Sequence, residues 1–103
     1  MRVYVSGPMR GYPSYNFPAF DSATVKLRLQ GYEVVSPTER DRDQGIHEDT
    51  PEAELDLAKL IIRDVQDVTT CDAIYMLKGW EKSTGANVEY STAVFLGLQV
   101  MYE

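Results

Sequence analysis

Two carboxylates have the residue type and spacing to do chemistry. Glu89 stands in the run GANVEYSTAVFLG (85–97). At 100° per residue its nearest helical neighbours are Ala86, Ala93, Leu96 and Thr92, so a charge is centred on a small, apolar helix face. Glutamate is rarely buried without a partner, because isolated burial of the charge is costly. Either this face lines a cavity or a local partner satisfies the carboxylate, and the small flanking side chains leave space that favours a pocket. Asp64 is placed in a similar way, flanked at helical spacing by Leu57, Leu60, Ile61 and Val68. It reads either as a second pocket acid or as part of a surface salt-bridge cluster. Its neighbours Arg63 and Asp67 read as such a cluster. Paired carboxylates on apolar helix faces argue against a scaffold without a small-molecule ligand.

A second group of residues could hold an anion. The turn Gly7, Pro8, Met9, Arg10, Gly11 follows a short apolar strand. Exposed backbone N–H groups there could grip an anion, with Arg10 adding its fork of donors, although a Gly-Pro turn also reads as a turn and nothing more. It is neither a G-x-G-x-x-G fingerprint nor a P-loop, so neither a dinucleotide nor a nucleoside triphosphate is indicated. Ser83 is placed to cap a helix, and the start of that helix is a second favourable spot for phosphate. Tyr4, Tyr12, Tyr15 and Trp80 could stack on a nucleobase. One His (His47) and one Cys (Cys71), without ligand spacing, indicate no metal and no cofactor, and Cys71 has no base beside it.

The elements that must position these residues follow from periodicity. Arg2 to Val5 reads as a buried strand. Phe17, Phe20, Ala23 and Leu27 recur at helical spacing and stop before Gly31. Glu33 to Val35 resembles a second strand, and 36–49 is a polar, aperiodic loop, either a solvated surface or a lid. A second helix is expected to open at Thr50 with Pro51 in its first position and to end near Thr70, with Leu57, Ile61, Val65 and Val68 as its apolar stripe. Ala73 to Leu77 is a fully apolar strand, 78–85 a loop, Thr84 to Leu96 a third helix and Leu98 to Tyr102 a last strand. This alternation predicts an α/β fold: a small open parallel sheet of about four strands flanked by helices, flavodoxin- or Rossmann-like, with the ligand beyond the carboxyl ends of the strands.

A chain of 103 residues forms one domain, 1–103. Composition is that of a globular protein, and the net charge of −6 disfavours a nucleic-acid polymer as partner. No apolar stretch approaches a membrane span, and a lone cysteine suits a reducing, cytoplasmic setting.

The stretches VYVSGPMRG (3–11), YNFPAF (15–20), GYEVVSP (31–37), RDVQDVTTCDAIYML (63–77) and GWEKSTGANVEYSTAVFLG (79–97) resemble the nucleoside 2-deoxyribosyltransferase-like superfamily, most closely a branch of small phage and bacterial domains of unknown function. The last stretch fixes Ser83, Gly85 and Glu89 in one loop–helix unit. The resemblance implies that Glu89 is the catalytic carboxylate that attacks or stabilises the anomeric carbon as the nucleobase leaves. It implies that Asp64 holds the sugar or base and helps protonate the leaving nitrogen, and that Tyr4 lies close to the nucleophile. Breaking an N-glycosidic bond builds positive charge at C1′, which a carboxylate below the ring offsets.

Six residues before the catalytic glutamate the transferases carry an aspartate that grips the sugar hydroxyl, whereas the nucleoside 5′-monophosphate N-glycosidases carry a serine. This chain has Ser83 there, and Gly7, Arg10 and Gly11 match the glycosidases' phosphate turn. Gly7, Pro8, Met9, Arg10, Gly11, Ser83 and Gly85 are therefore the expected phosphate and substrate contacts, although Pro8 replaces a residue that supplies two donors. The expected activity is release of the base from a small nucleotide. The alternatives are base exchange between nucleosides, a non-catalytic nucleotide-binding module, and a dimerising scaffold without a ligand. In both enzyme groups a residue beyond the fourth strand reaches a neighbour's site, a contribution expected to be missing or replaced here. A homodimer or larger homo-oligomer is expected, through the second and third helices.

Overall fold

The computed structural model describes residues 1–103. Strand β1 (Arg2–Ser6) is central. Its side chains alternate between two cores, as the pleat requires. Val3 and Val5 face helix α1 (Phe17–Leu29), where they meet Phe20, Ala23 and Leu27. Tyr4 faces the opposite side, among Val68, Ile74, Met76, Ala86 and Ala93. Strand β2 (Glu33–Val35) lies on one side of β1, and β3 (Ala73–Met76) and then β4 (Gln99–Tyr102) on the other. All pairs are parallel, in the order β2-β1-β3-β4. Helix α1 covers one face. Helices α3 (Leu57–Thr69) and α4 (Thr84–Phe95) cover the other and pack on each other. The expected four-stranded α/β fold is the one observed.

Strand order reverses between β1 and β3, the chain stepping from β1 to β2 on one side and then crossing to β3 on the other, which makes this the switch point where such sheets place ligands. The carboxyl ends of these two strands approach closely. A side-chain carbon on Gly7 would lie 2.7 Å from Leu77 Cβ, so only glycine fits there.

Two expectations fail. Residues 36–49 are not all loop: α2 (Pro37–Asp43) begins directly after β2. Its buried residues, Pro37, Thr38 and Asp41, include no large apolar side chain, so no hydrophobic period marks it. The next helix starts at Leu57 rather than Thr50. Pro51 is extended (ψ 136°), Glu52–Glu54 form one 3-10 turn, Leu55 is extended again, and the Asp56 carboxylate caps α3 by accepting from Lys59 N at 3.1 Å. Of the expected stripe on that helix, Val68 is buried, Ile61 and Val65 are half-buried and Leu57 is exposed.

Candidate active site

Three elements, α4, β1 and α3, meet at Glu89. It projects from the core face of α4 between Ala86 and Ala93 and is 6% exposed. Tyr4 and Ser6, two apart on β1, share the face of the strand that looks at it. The Ser6 hydroxyl donates to Glu89 Oε1 at 2.6 Å, and the Tyr4 hydroxyl donates to Oε2 at 3.2 Å. Both carboxyl oxygens are thus satisfied within the core, where a space above the carboxylate was expected. Neither the groove along the outer side of α4 nor the one at the ends of β3 and β4 includes Glu89 or Asp64.

Asp64 faces the same cluster from α3 and is 8% exposed. Arg63 Nε and Nη2 both donate to its Oδ1, at 3.0 and 2.7 Å. Arg63 is itself buried, which corrects its expected place in a surface cluster. Its Nη2 also lies 2.8 Å from Asp41 Oδ1, and Nη1 donates to Gln44 Oε1 at 3.1 Å. Asp67 is the outer member, paired with Arg40 at 2.9 Å.

Burial, and next the charge of Asp64, push the Glu89 carboxyl up to about 8, against the pull of the Ser6 and Tyr4 hydrogen bonds. Burial also raises Asp64, to about 6, with the Arg63 charge opposing it. The Tyr4 phenol is pushed well above its usual range by burial first and then by the Glu89 charge. Near neutrality the two carboxyls therefore hold one proton between them, mainly on Glu89. Such a pair holds a donor and an anion side by side.

The anion turn opens beside this cluster. Met9 packs on the α1-side core, and Pro8 O accepts from Asn16 Nδ2 at 2.8 Å. Ser14, Tyr15 and Asn16 all have left-handed backbones (φ 54°, 51° and 61°), a costly conformation held in part by that bond and by the Tyr15 hydroxyl donating to Thr50 O at 2.5 Å. Arg10 is exposed, and its Nε donates to Glu52 at 2.9 Å. Gly11 also takes a left-handed turn (φ 86°).

Residues 1–102 match the model of a family described as a domain of unknown function, DUF4406. The chain belongs to that family. No curated protein matches it.

The DUF4406 chain thus brings Glu89, Asp64 and Tyr4 into one buried cluster. Ser83 caps α4, its Oγ accepting from Ala86 N at 3.2 Å, as expected of it. Gly85 lies on the first turn of that helix, where a side-chain carbon would come within van der Waals reach of Ile61. Tyr12 leans its hydroxyl on Gly79, whose left-handed backbone (φ 87°) and lack of a side chain admit it. Trp80 stacks on Tyr90 with ring centres 4.6 Å apart. His47 is exposed. Sequence reasoning missed Ser6, although it lies two residues past Tyr4 on a strand and so on the same face. It also missed Asp41, which no periodicity marked.

Proposed function

We propose that this protein cleaves the N-glycosidic bond of a small nucleotide, a ribo- or deoxyribonucleoside 5′-monophosphate, and releases the base. The observation that carries the reading is the pair of buried carboxyls, Glu89 held by Ser6 and Tyr4 and Asp64 held by Arg63, beside the carboxyl end of β1 at the switch point of the sheet. The reaction needs a carboxylate under C1′ and a proton for the departing nitrogen. A pair with one proton holds both. Near neutrality the proton rests mainly on Glu89, so the reactive form is the minor one in which it has passed to Asp64; from there attack of the Glu89 carboxylate at C1′ expels the base, which takes the proton from Asp64, and water then frees the sugar. Tyr4 and Ser6 hold the attacking carboxylate in one orientation.

The turn supports a phosphate-bearing substrate. No acceptor within the chain takes the N–H groups of Gly7, Met9, Arg10 and Gly11, and the Arg10 side chain stands beside them. Ser83 in place of a carboxylate removes repulsion of a dianion. Base exchange between nucleosides is the neighbouring activity. A non-catalytic nucleotide-binding module is favoured by one observation, the depth at which Glu89 is buried.

The working unit in this reading is a homodimer in a reducing, cytoplasmic compartment. No helix is long and apolar enough to cross a membrane. The outer side of α4 presents Val88, Ser91 and Phe95, with Phe95 88% exposed, and a second copy would cover it.

The test is chromatographic detection of free base from a panel of nucleosides and 5′-monophosphates, with Glu89→Ala as control. Release from monophosphates that vanishes in the variant supports hydrolysis. Exchange between free nucleosides moves the reading to transfer. Binding without release moves it to the module.

A further inference from the structure

Arg63 lies where no solvent-facing ion pair would put it. Adjacent helical positions do not face each other, yet Arg63 curls back to place both Nε and Nη2 on the carboxyl of its own neighbour, Asp64. Both donors fall on the one oxygen, Oδ1, and Oδ2 has no donor within the chain. The same Nη2 reaches Asp41 on α2, which tethers that short helix to the site. A buried guanidinium between two carboxylates is costly to assemble unless the geometry is good. Here it does not neutralise Asp64 symmetrically. It pins one oxygen and leaves the other available.

We infer that Arg63 is a positioning residue for the proposed site, shared between Asp64 and Asp41 so that it decides which of the two active carboxyls carries the negative charge. This rests on the glycosidase reading for its use, not for its geometry. The groups around Asp64 are Arg63 and Asp67 on its own helix, Asp41 on α2 with Arg42 beside it, Glu89 on α4 and Tyr4 on β1; Arg40 pairs with Asp67. Arg63 is the one cation that donates to Asp64 directly. Without it, Asp64 is a buried acid among acids, whereas Glu89 keeps the Ser6 and Tyr4 donors. Charge then passes to Glu89 first. Asp41 acts with the opposite sign, because it competes for the same guanidinium and adds a negative charge.

Carboxyl-labelled protein titrated by carbon NMR tests this, with Glu89→Gln and Asp64→Asn used to assign the two signals. In the parent protein Asp64 should ionise before Glu89. Arg63→Gln should raise the proton affinity of Asp64 by more than about a hundredfold and reverse the order. Asp41→Asn, which retains the Arg63–Asp64 contact and guards against a misfolded Arg63 variant, should lower the proton affinity of Asp64. Arg63→Lys should restore the order in part. Opposite shifts from Arg63→Gln and Asp41→Asn would support the inference. Folded variants whose two titrations stay in place, or move in one direction together, would overturn it. Base release separates the two ideas: a protein that releases no base from any nucleotide overturns the glycosidase reading, while the NMR titration still decides the role of Arg63. If base is released, the acid limb of the pH profile should move upward in Arg63→Gln and downward in Asp41→Asn.

Discussion

Ser6 Oγ lies 2.6 Å from Glu89 Oε1, joining the last residue of the central strand to the middle of α4 across the sheet–helix boundary. The contact is short and fully buried at Ser6. It favours the ionised carboxyl, because a carboxylate accepts where a neutral acid must share its own proton. Ser6 therefore opposes the burial that keeps Glu89 protonated. In the proposed mechanism it lowers the cost of the anion that attacks C1′.

Ser6→Ala should push the Glu89 carboxyl further above about 8 and lower the maximal rate of base release by roughly 10- to 100-fold, the usual cost of removing a hydrogen bond to a buried charge. The alkaline limb of the pH–rate profile should move upward. A variant with an unchanged profile would show that Ser6 only fills space.

The unmodified protein should show a single activity maximum near neutrality. Below about 6 the second proton returns to the pair, and above about 8 the last one leaves. These two values belong to the pair as a whole. A profile of kcat/KM that rises monotonically across this window would remove the shared proton from the mechanism.

Stability should carry the same signature. The folded Glu89 carboxyl titrates at about 8, against an ordinary value of 4.5, so the native state binds a proton that the unfolded chain has released. The raised value costs nothing below about 4.5. Its cost grows as pH rises from there and levels off above about 8. Glu89→Gln keeps the shape and removes this titration. Urea unfolding should find it close to the parent protein at low pH and more stable by up to a few kcal/mol at pH 8 and above. A constant difference across the range would mean that Glu89 is not held protonated.

Much of this site was legible in the sequence, and what was not has physical causes. Glu89 stood out because alanines one turn either side mark a core face, and the helix it lies on was bounded to within a residue. Tyr4 read from the sequence alone only as a ring able to stack, and its place beside Glu89 entered through the resemblance, yet the pleat of β1 would then have delivered Ser6. Arg63 was misplaced because an arginine beside two aspartates has the composition of a surface cluster, and only the packing of α2 buries it. Helix α2 itself carries Pro37, Thr38 and Asp41 towards the core in place of large apolar groups, so periodicity was silent there. The start of α3 was misread because Thr50-Pro51 imitates a helix start. The true cap is Asp56, after a break at Leu55.

Phe95→Glu should convert a dimer to a monomer in light scattering while leaving the far-UV spectrum unchanged. The ring is 88% exposed beside Val94 and Leu96, so the fold loses nothing when it becomes charged. A parent protein that is already monomeric would show that this face is unpartnered.

Arg10 and Glu52 should reveal whether the turn after β1 receives a phosphate. Their ion pair, 2.9 Å long and more than half exposed on both sides, holds the guanidinium away from an incoming anion and places a negative charge where a dianion would arrive. Such exposed pairs are weak, so a phosphate could displace Glu52 at small cost. Glu52→Gln should lower KM for a 5′-monophosphate by about two- to five-fold and leave KM for the free nucleoside unchanged. Arg10→Ala should raise KM for the monophosphate alone, by about ten-fold or more. Both effects should shrink as salt is added, because the contact is solvent-facing. Equal changes for nucleoside and monophosphate would mean that Arg10 supports the turn rather than the phosphate, and substrate choice would then rest with Ser83 and the start of α4.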